Sequence, residues 1–210
     1  MKSNYFSQVL YEMKHQPVIG VVTVIGTALA IFLIMIVVMM HLVTVIPFTP
    51  EINRDRTLHG KYIHIAAFES ENYSASASMS YGIAKRLFGD LKYAETVSYF
   101  TEPETTDICV VGSAPSIRYQ KTVDSEFWKI FNYEFTHGRP FTEDEIDACM
   151  RVAIVSESVA REMYGTTDAC GREILVAQVP YRIVGVVKDS SPLATTAFSD
   201  IFTPIDIKSA

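Results

Sequence analysis

From Val18 to Ile46 the chain runs for 29 residues without an Asp, Glu, Lys or Arg, between Pro17 and Pro47. As a helix such a run rises roughly 43 Å at ~1.5 Å per residue, against a bilayer hydrocarbon core of about 30 Å. It therefore crosses a membrane with about two or three turns left over, and His41–Ile46 reads as a stalk continuing beyond the lipid. A cleaved signal peptide has an apolar region of only ~7–15 residues and a small-x-small cleavage site. This run is about twice that length and Ile46-Pro47-Phe48 offers no such site, which favours a retained anchor. Within the run, Thr23/Thr27 and Gly26/Ala30 are small-xxx-small pairs that let a second helix approach, and they are the helix-packing candidates. His41 is the lone ionisable group and reads as an interfacial residue rather than part of a polar path.

Ahead of the span, in residues 1–16, Tyr5, Phe6, Val9, Leu10 and Met13 share one helical face, with Lys2, Glu12 and Lys14 turned away from it. That pattern predicts a short amphipathic helix lying on the membrane lipid. Charge leaves the orientation open: Lys2 and Lys14 precede the span, whereas Arg54, Arg56 and Lys61 follow it.

The whole chain has 210 residues and a formal net charge of −6, and residues 1–46 hold only Lys2, Lys14 and Glu12. The remaining 164 residues therefore carry 16 basic and 23 acidic side chains, a net −7. A domain that acidic lacks the basic footprint of a nucleic-acid binder. Its patterning predicts an α+β fold of short helices on largely antiparallel strands, in one domain over residues 47–210 beyond the 17–46 span. Strands are expected at Tyr62–Phe68, Glu95–Phe100, Asp107–Gly112, Ser116–Val123, Arg151–Val155, Glu173–Ala177, Pro180–Val187 and Asp200–Pro204. Ser70–Ser80 reads as a loop or helix entrance, and Ala84, Leu87, Phe88 and Leu91 as a helix face after a Ser80 cap. Asp124 is expected to cap a helix that buries Phe127, Trp128 and Phe131. Thr142 and Glu145 have capping-box spacing, and a helix over Ser156–Tyr164 should stop at Gly165.

No constellation for catalysis emerges. A phosphate-binding Gly-x-x-x-x-Gly-Lys-Ser/Thr, Gly-x-Ser-x-Gly and His-Glu-x-x-His are all absent from the sequence. His59 and His64 are spaced for neither a helix face nor one side of a strand, and Glu143–Asp147 lacks the alternating ligands of a calcium loop. Cys109 reads as a buried thiol; Cys149 and Cys170 sit in polar segments where they could pair in an oxidising compartment. No metal, cofactor or catalytic residue is expected.

A set of motifs follows in order from residue 123. These are Val123-Asp-Ser-Glu-Phe-Trp-Lys-Ile-Phe131, Gly138-Arg-Pro-Phe-Thr142, Val152-Ala-Ile-Val-Ser-Glu-Ser-Val-Ala160, Tyr164-Gly165 and Gly171-Arg-Glu-Ile174. Tyr181-Arg-Ile-Val-Gly-Val-Val187, Lys188-Asp189 and Ile201-Phe-Thr-Pro204 complete the series. In order and spacing this stretch resembles the periplasmic core domain of the MacB-type ABC transporter permeases, a group that includes the lipoprotein-releasing and FtsX-like permeases. The resemblance makes Phe127, Gly138, Arg139, Gly165, Gly171, Gly185 and Pro204 the motif positions, all of them structural. Gly138-Arg139 looks like the family's turn before the capped helix, and Gly185 inside a strand suggests a bulge or a close backbone approach.

The resemblance implies a bacterial inner-membrane protein with its N-terminus in the cytoplasm and its domain in the periplasm. It also implies pairing as a dimer, a separate cytoplasmic ABC ATPase as partner, a periplasmic partner, and movement of the stalk as the mechanical signal of hydrolysis. Family members continue with three more spans, whereas this sequence stops at Ala210. The expectation is therefore the N-terminal part of a permease; the alternative is a single-pass anchored binding or interaction module without transport.

Overall fold

The computed structural model describes residues 11, 17–66 and 74–205, with the backbone alone for 43–45, 63–66 and 74–78. The amphipathic segment expected over residues 1–16 lies outside these, Tyr11 apart. The chain divides into two compact units, residues 1–46 and 47–210. In the first, helix α1 (Pro17–Val45) is continuous for 29 residues, and Pro17–Leu42 has a mean hydropathy of 3.0, long and apolar enough to cross a membrane. Pro17 opens the helix, where its missing N–H has no acceptor to lose.

The second unit contains a two-stranded ladder and a seven-stranded sheet. Strands β1 (Tyr62–Ala66) and β2 (Ser74–Ser78) pair antiparallel in continuous register, so part of the serine-rich segment is a strand rather than a loop. Its Ser-Ala-Ser-Ala-Ser alternation has period two, and serine count obscured that signal. Helix α2 (Tyr81–Phe88) follows, with Ser80 at the cap position but without a side-chain capping bond.

The larger sheet comprises β3 (Glu104–Cys109), β4 (Ser116–Val123), β5 (Phe135–Gly138), β6 (Val152–Ser156), β7 (Glu173–Val176), β8 (Val179–Val187) and β9 (Ile201–Pro204). Its order is β5-β8-β6-β9-β4-β3-β7, and β7 also pairs with β8. Six strands therefore return on themselves in a hydrogen-bonded ring, with β5 attached along the second half of β8. The β4–β9 and β6–β8 pairings are parallel and the others antiparallel. The strand expected over Glu95–Phe100 is replaced by a single bridge from Phe100 to Val123. Pro103 has no N–H to donate, so the ladder beside β4 resumes only at Glu104.

Strand β6 is buried along its whole length and separates two cores. Val152 and Ile154 face one, with Phe127, Phe131, Phe141 and Phe202; Ala153 and Val155 face the other, with Val159, Ile174 and Ile183. The helices seal these cores and their ends follow local rules. Helix α3 (Phe127–Ile130) sits after Asp124, whose Oδ1 accepts from Phe127 N at 3.0 Å. Helix α4 (Glu143–Asp147) has a complete Thr142/Glu145 capping box. Helix α5 (Glu157–Tyr164) is capped by Ser156 and ends at Gly165 in the left-handed region.

Where β5 meets β8, Gly138 lies opposite Gly185. Gly138 has φ +72°, and a Cβ there would sit 2.1 Å from Val184 O and 2.9 Å from Gly185 Cα. A Cβ on Gly185 would sit 2.6 Å from Arg139 O, so neither strand admits a side chain at the crossing. Gly165 has nearly the same φ, +70°, with no atom within 4 Å of its would-be Cβ. Gly165→Ala should therefore cost about 1 kcal/mol from backbone strain, and Gly138→Ala about 2–4 kcal/mol because overpacking is added. Urea unfolding of the two variants measures the gap; equal losses would show that the crossing relaxes freely.

Candidate functional site

The most unusual chemistry of the second unit lies where its first residues meet the segment before β9. The joint segment, residues 47–57, is fastened to the domain by Asn132 N donating to Pro50 O at 2.9 Å. Glu51 is only 4% exposed, and its Oε1 accepts from Thr196 N at 3.0 Å and Ala197 N at 2.8 Å. Its Oε2 pairs with the Arg54 guanidinium at 2.8 Å. Arg54 in turn donates to Leu193 O at 3.2 Å and lies over the Phe48 ring.

The carbonyls of the same dipeptide are also taken. Lys121 Nζ, on β4 and 1% exposed, donates to Thr196 O, and Tyr133 Oη donates to Ala197 O. All four backbone polar groups of Thr196–Ala197 are thus satisfied by side chains from three separate parts of the chain. Burial pushes the Lys121 ammonium down to about 8, with Glu102 and Glu51 opposing the shift, and the amine also lies 5.2 Å from the Phe100 ring centre. Burial likewise raises the Tyr133 phenol.

Sequence reasoning missed Glu51, Lys121, Tyr133 and Thr196–Ala197. One signal was available: Ile117, Tyr119, Lys121 and Val123 share one side of β4, placing a lysine at an apolar parity. Only the three-residue spacing to Arg54 is local to Glu51; the two amides that its other oxygen accepts from lie more than 140 positions away.

The motif positions serve the scaffold around this place. Phe127 is fully buried among Phe100, Trp128, Phe131, Tyr133 and Phe202, with ring centres 4.5–6.0 Å from its own. Arg139 forks onto Glu145, its Nη1 and Nη2 at 2.9 and 2.8 Å from the two carboxylate oxygens. Gly171, at φ +83°, donates to Ile183 O, and Pro204 closes β9 opposite Val123. Thr23, Gly26, Thr27 and Ala30 are all exposed positions on α1. The Thr23 and Thr27 hydroxyls bond back to carbonyls of their own helix. The three cysteines are free thiols: Cys109 buried, Cys170 half-buried and Cys149 exposed. Among the described residues no group of three or more His, Cys, Asp or Glu is placed to hold a metal.

Two pH responses follow. Lys121 titrates near 8 folded against 10.5 for an ordinary lysine, so between these values the unfolded chain holds the extra proton and stability rises with pH. The stability of wild type relative to Lys121→Met should improve by about 2 kcal/mol from pH 7 to pH 10 in urea titrations; a flat difference would mean the amine is not desolvated. The Arg139 fork holds Glu145 down to about 2, against 4.5 ordinarily. Its stabilisation is full above pH 4.5 and is lost as pH falls toward 2. Arg139→Ala should lower the melting temperature at pH 7 by ~3 °C, from about 1 kcal/mol after solvent screening, with the gap closing in acid.

Comparison with known proteins gives a consistent answer. The family described as MacB-like periplasmic core domain matches residues 20–210. The pyoverdine export ATP-binding/permease protein PvdT of Pseudomonas aeruginosa is 32% identical over 66 residues, 31% of this chain and 10% of that protein. The macrolide export ATP-binding/permease protein MacB of Chromobacterium violaceum is 28% identical over 116 residues, 50% of this chain and 17% of that protein. The matched stretches thus span under a fifth of these relatives' own length. The crystal structure of the periplasmic region of MacB from Actinobacillus actinomycetemcomitans superposes with a TM-score of 0.48 at 19% identity, covering 58% of this chain and 53% of that one. Since the family match takes in most of α1 and the whole folded unit after it, the chain belongs to the family of MacB-like periplasmic core domains.

Proposed function

We propose that this chain is the N-terminal portion of an ABC permease that couples ATP hydrolysis by a cytoplasmic partner to movement of its extracytoplasmic domain. The carrying observation is the family match over residues 20–210, which includes an apolar helix and the domain behind it. No P-loop motif occurs in the sequence, so the nucleotide chemistry belongs to another unit. The similar proteins named ATP-binding/permease combine the two functions by name. In this reading the N-terminus is cytoplasmic, the domain is periplasmic and two permease subunits work as a pair across a bacterial inner membrane. Thr23, Gly26, Thr27 and Ala30 supply the face on which α1 packs against another span. Phe127, Gly138, Arg139, Gly165, Gly171, Gly185 and Pro204 keep the domain stiff enough to pass on displacement, and a periplasmic partner receives it.

The exposed Cys149 thiol tests the topology. A membrane-impermeant maleimide should label it in intact spheroplasts, while Cys149→Ser loses the signal. Labelling only after lysis would place the domain in the cytoplasm and overturn the orientation. Affinity purification from native membranes in mild detergent should bring down an ABC ATPase; its absence, with a chain running alone at 23.5 kDa, would favour an anchored interaction module.

A further inference from the structure

Residues 189–197, after β8, contain no strand or helix and bury little apolar surface, whereas Phe198 packs on the Tyr119 ring and Ser199 and Asp200 bond to the Tyr119 backbone. Of the side chains at 193–197, only those of Ala194 and Ala197 are buried, and these are single methyl groups; Leu193 is 58% exposed. Polar ties do the holding. Glu51 takes the two N–H groups of Thr196 and Ala197, Lys121 and Tyr133 take their carbonyls, and Arg54 takes Leu193 O.

Such bonds respond sharply to displacement. A hydrogen bond weakens steeply once its angle falls below ~120°, whereas apolar packing has no preferred direction. Burying Glu51 and Lys121 is also expensive, since a well-packed apolar pair could hold a loop without desolvating two charges. Two of the ties, Glu51 and Arg54, belong to the joint segment, and Glu51 is six residues past Val45, the last residue of α1. The other two come from the sheet side, on β4 and after α3.

We propose that Thr196–Ala197 is a release catch: the Glu51 carboxylate holds residues 193–197 to the joint segment, and withdrawing it frees both segments together while the sheet stays folded. This rests on the reading that α1 moves during a transport cycle, and it identifies the place in the domain where that movement is first registered. When the joint segment shifts, the carboxylate leaves two amides at once, and the segment preceding β9 loses its fixed position.

The test is amide hydrogen exchange on the full chain in lipid nanodiscs, comparing wild type with Glu51→Gln and with Glu143→Gln, exposed on α4, as a surface control. The glutamine keeps an oxygen but loses the charge that strengthens both bonds. Exchange should rise about tenfold or more in peptides covering both 47–57 and 191–199, with β6 and β8 still protected. Unchanged exchange would overturn the catch, and so would loss of protection through β6 and β8, which would make Glu51 a keystone of the whole fold. If Glu51→Gln does not fold, Arg54→Met decides: it removes the Leu193 tie and the ion pair with Glu51 but leaves the Glu51 carboxylate facing both amides, and the catch requires raised exchange in both segments. The readout needs no ATPase. Coupled exchange without a co-purifying ATPase would keep the catch and discard transport; an ATPase with uncoupled exchange would do the reverse.

Discussion

Strand β6 is the constraint on which the folded unit depends. All five of its residues are buried, and it pairs parallel with β8 on one edge and antiparallel with β9 on the other. A strand buried on both faces needs an apolar layer on each, so the helices and loops must divide between two cores. The aromatic cluster around Phe127 fills one; the smaller aliphatic set around Val159 and Ile183 fills the other. The return of β7 onto β8 removes the sheet edge that β3 and β7 would otherwise expose.

Closure of this kind leaves little slack, and the glycine and polar contacts reflect it. Gly138 and Gly185 let β5 and β8 approach to a separation that no side chain tolerates. Asp124 is another buried carboxylate put to structural use. It accepts from Ser98 Oγ, Tyr99 N and Phe127 N, binding the bridge region to the start of α3, while burial raises its carboxyl above the ordinary range. Against this background residues 193–197 stand apart, because polar ties do more than packing to fix them.

Local signals in the sequence transferred well to structure. The capping box at Thr142–Glu145, the Ser156 cap and the stop at Gly165 each depend on residues within one helix, so their spacing was enough. The expected strands matched β4, β6, β7, β8 and β9 to within a residue or two, β6 as a continuous apolar run and not an alternating one. Errors arose where a long-range partner decides the outcome. Glu95–Phe100 alternates like a strand, but Pro103 interrupts the ladder and Tyr99 N bonds instead to the Asp124 side chain. Phe135–Gly138 has no strand signature of its own and becomes β5 because β8 offers it an edge.

The sequence by itself determined the span, the helix ends, the alternation of the strands and the order of family motifs. These rest on charge-free length, capping chemistry and side-chain periodicity, all of which act over a few residues. Only the tertiary structure decided that the strands close into a ring and that Gly138 meets Gly185. It alone also decided that Glu51, Lys121 and Tyr133 converge on Thr196–Ala197. Those contacts join positions tens to more than a hundred residues apart. What places them is mutual burial in one core, and no local spacing encodes that.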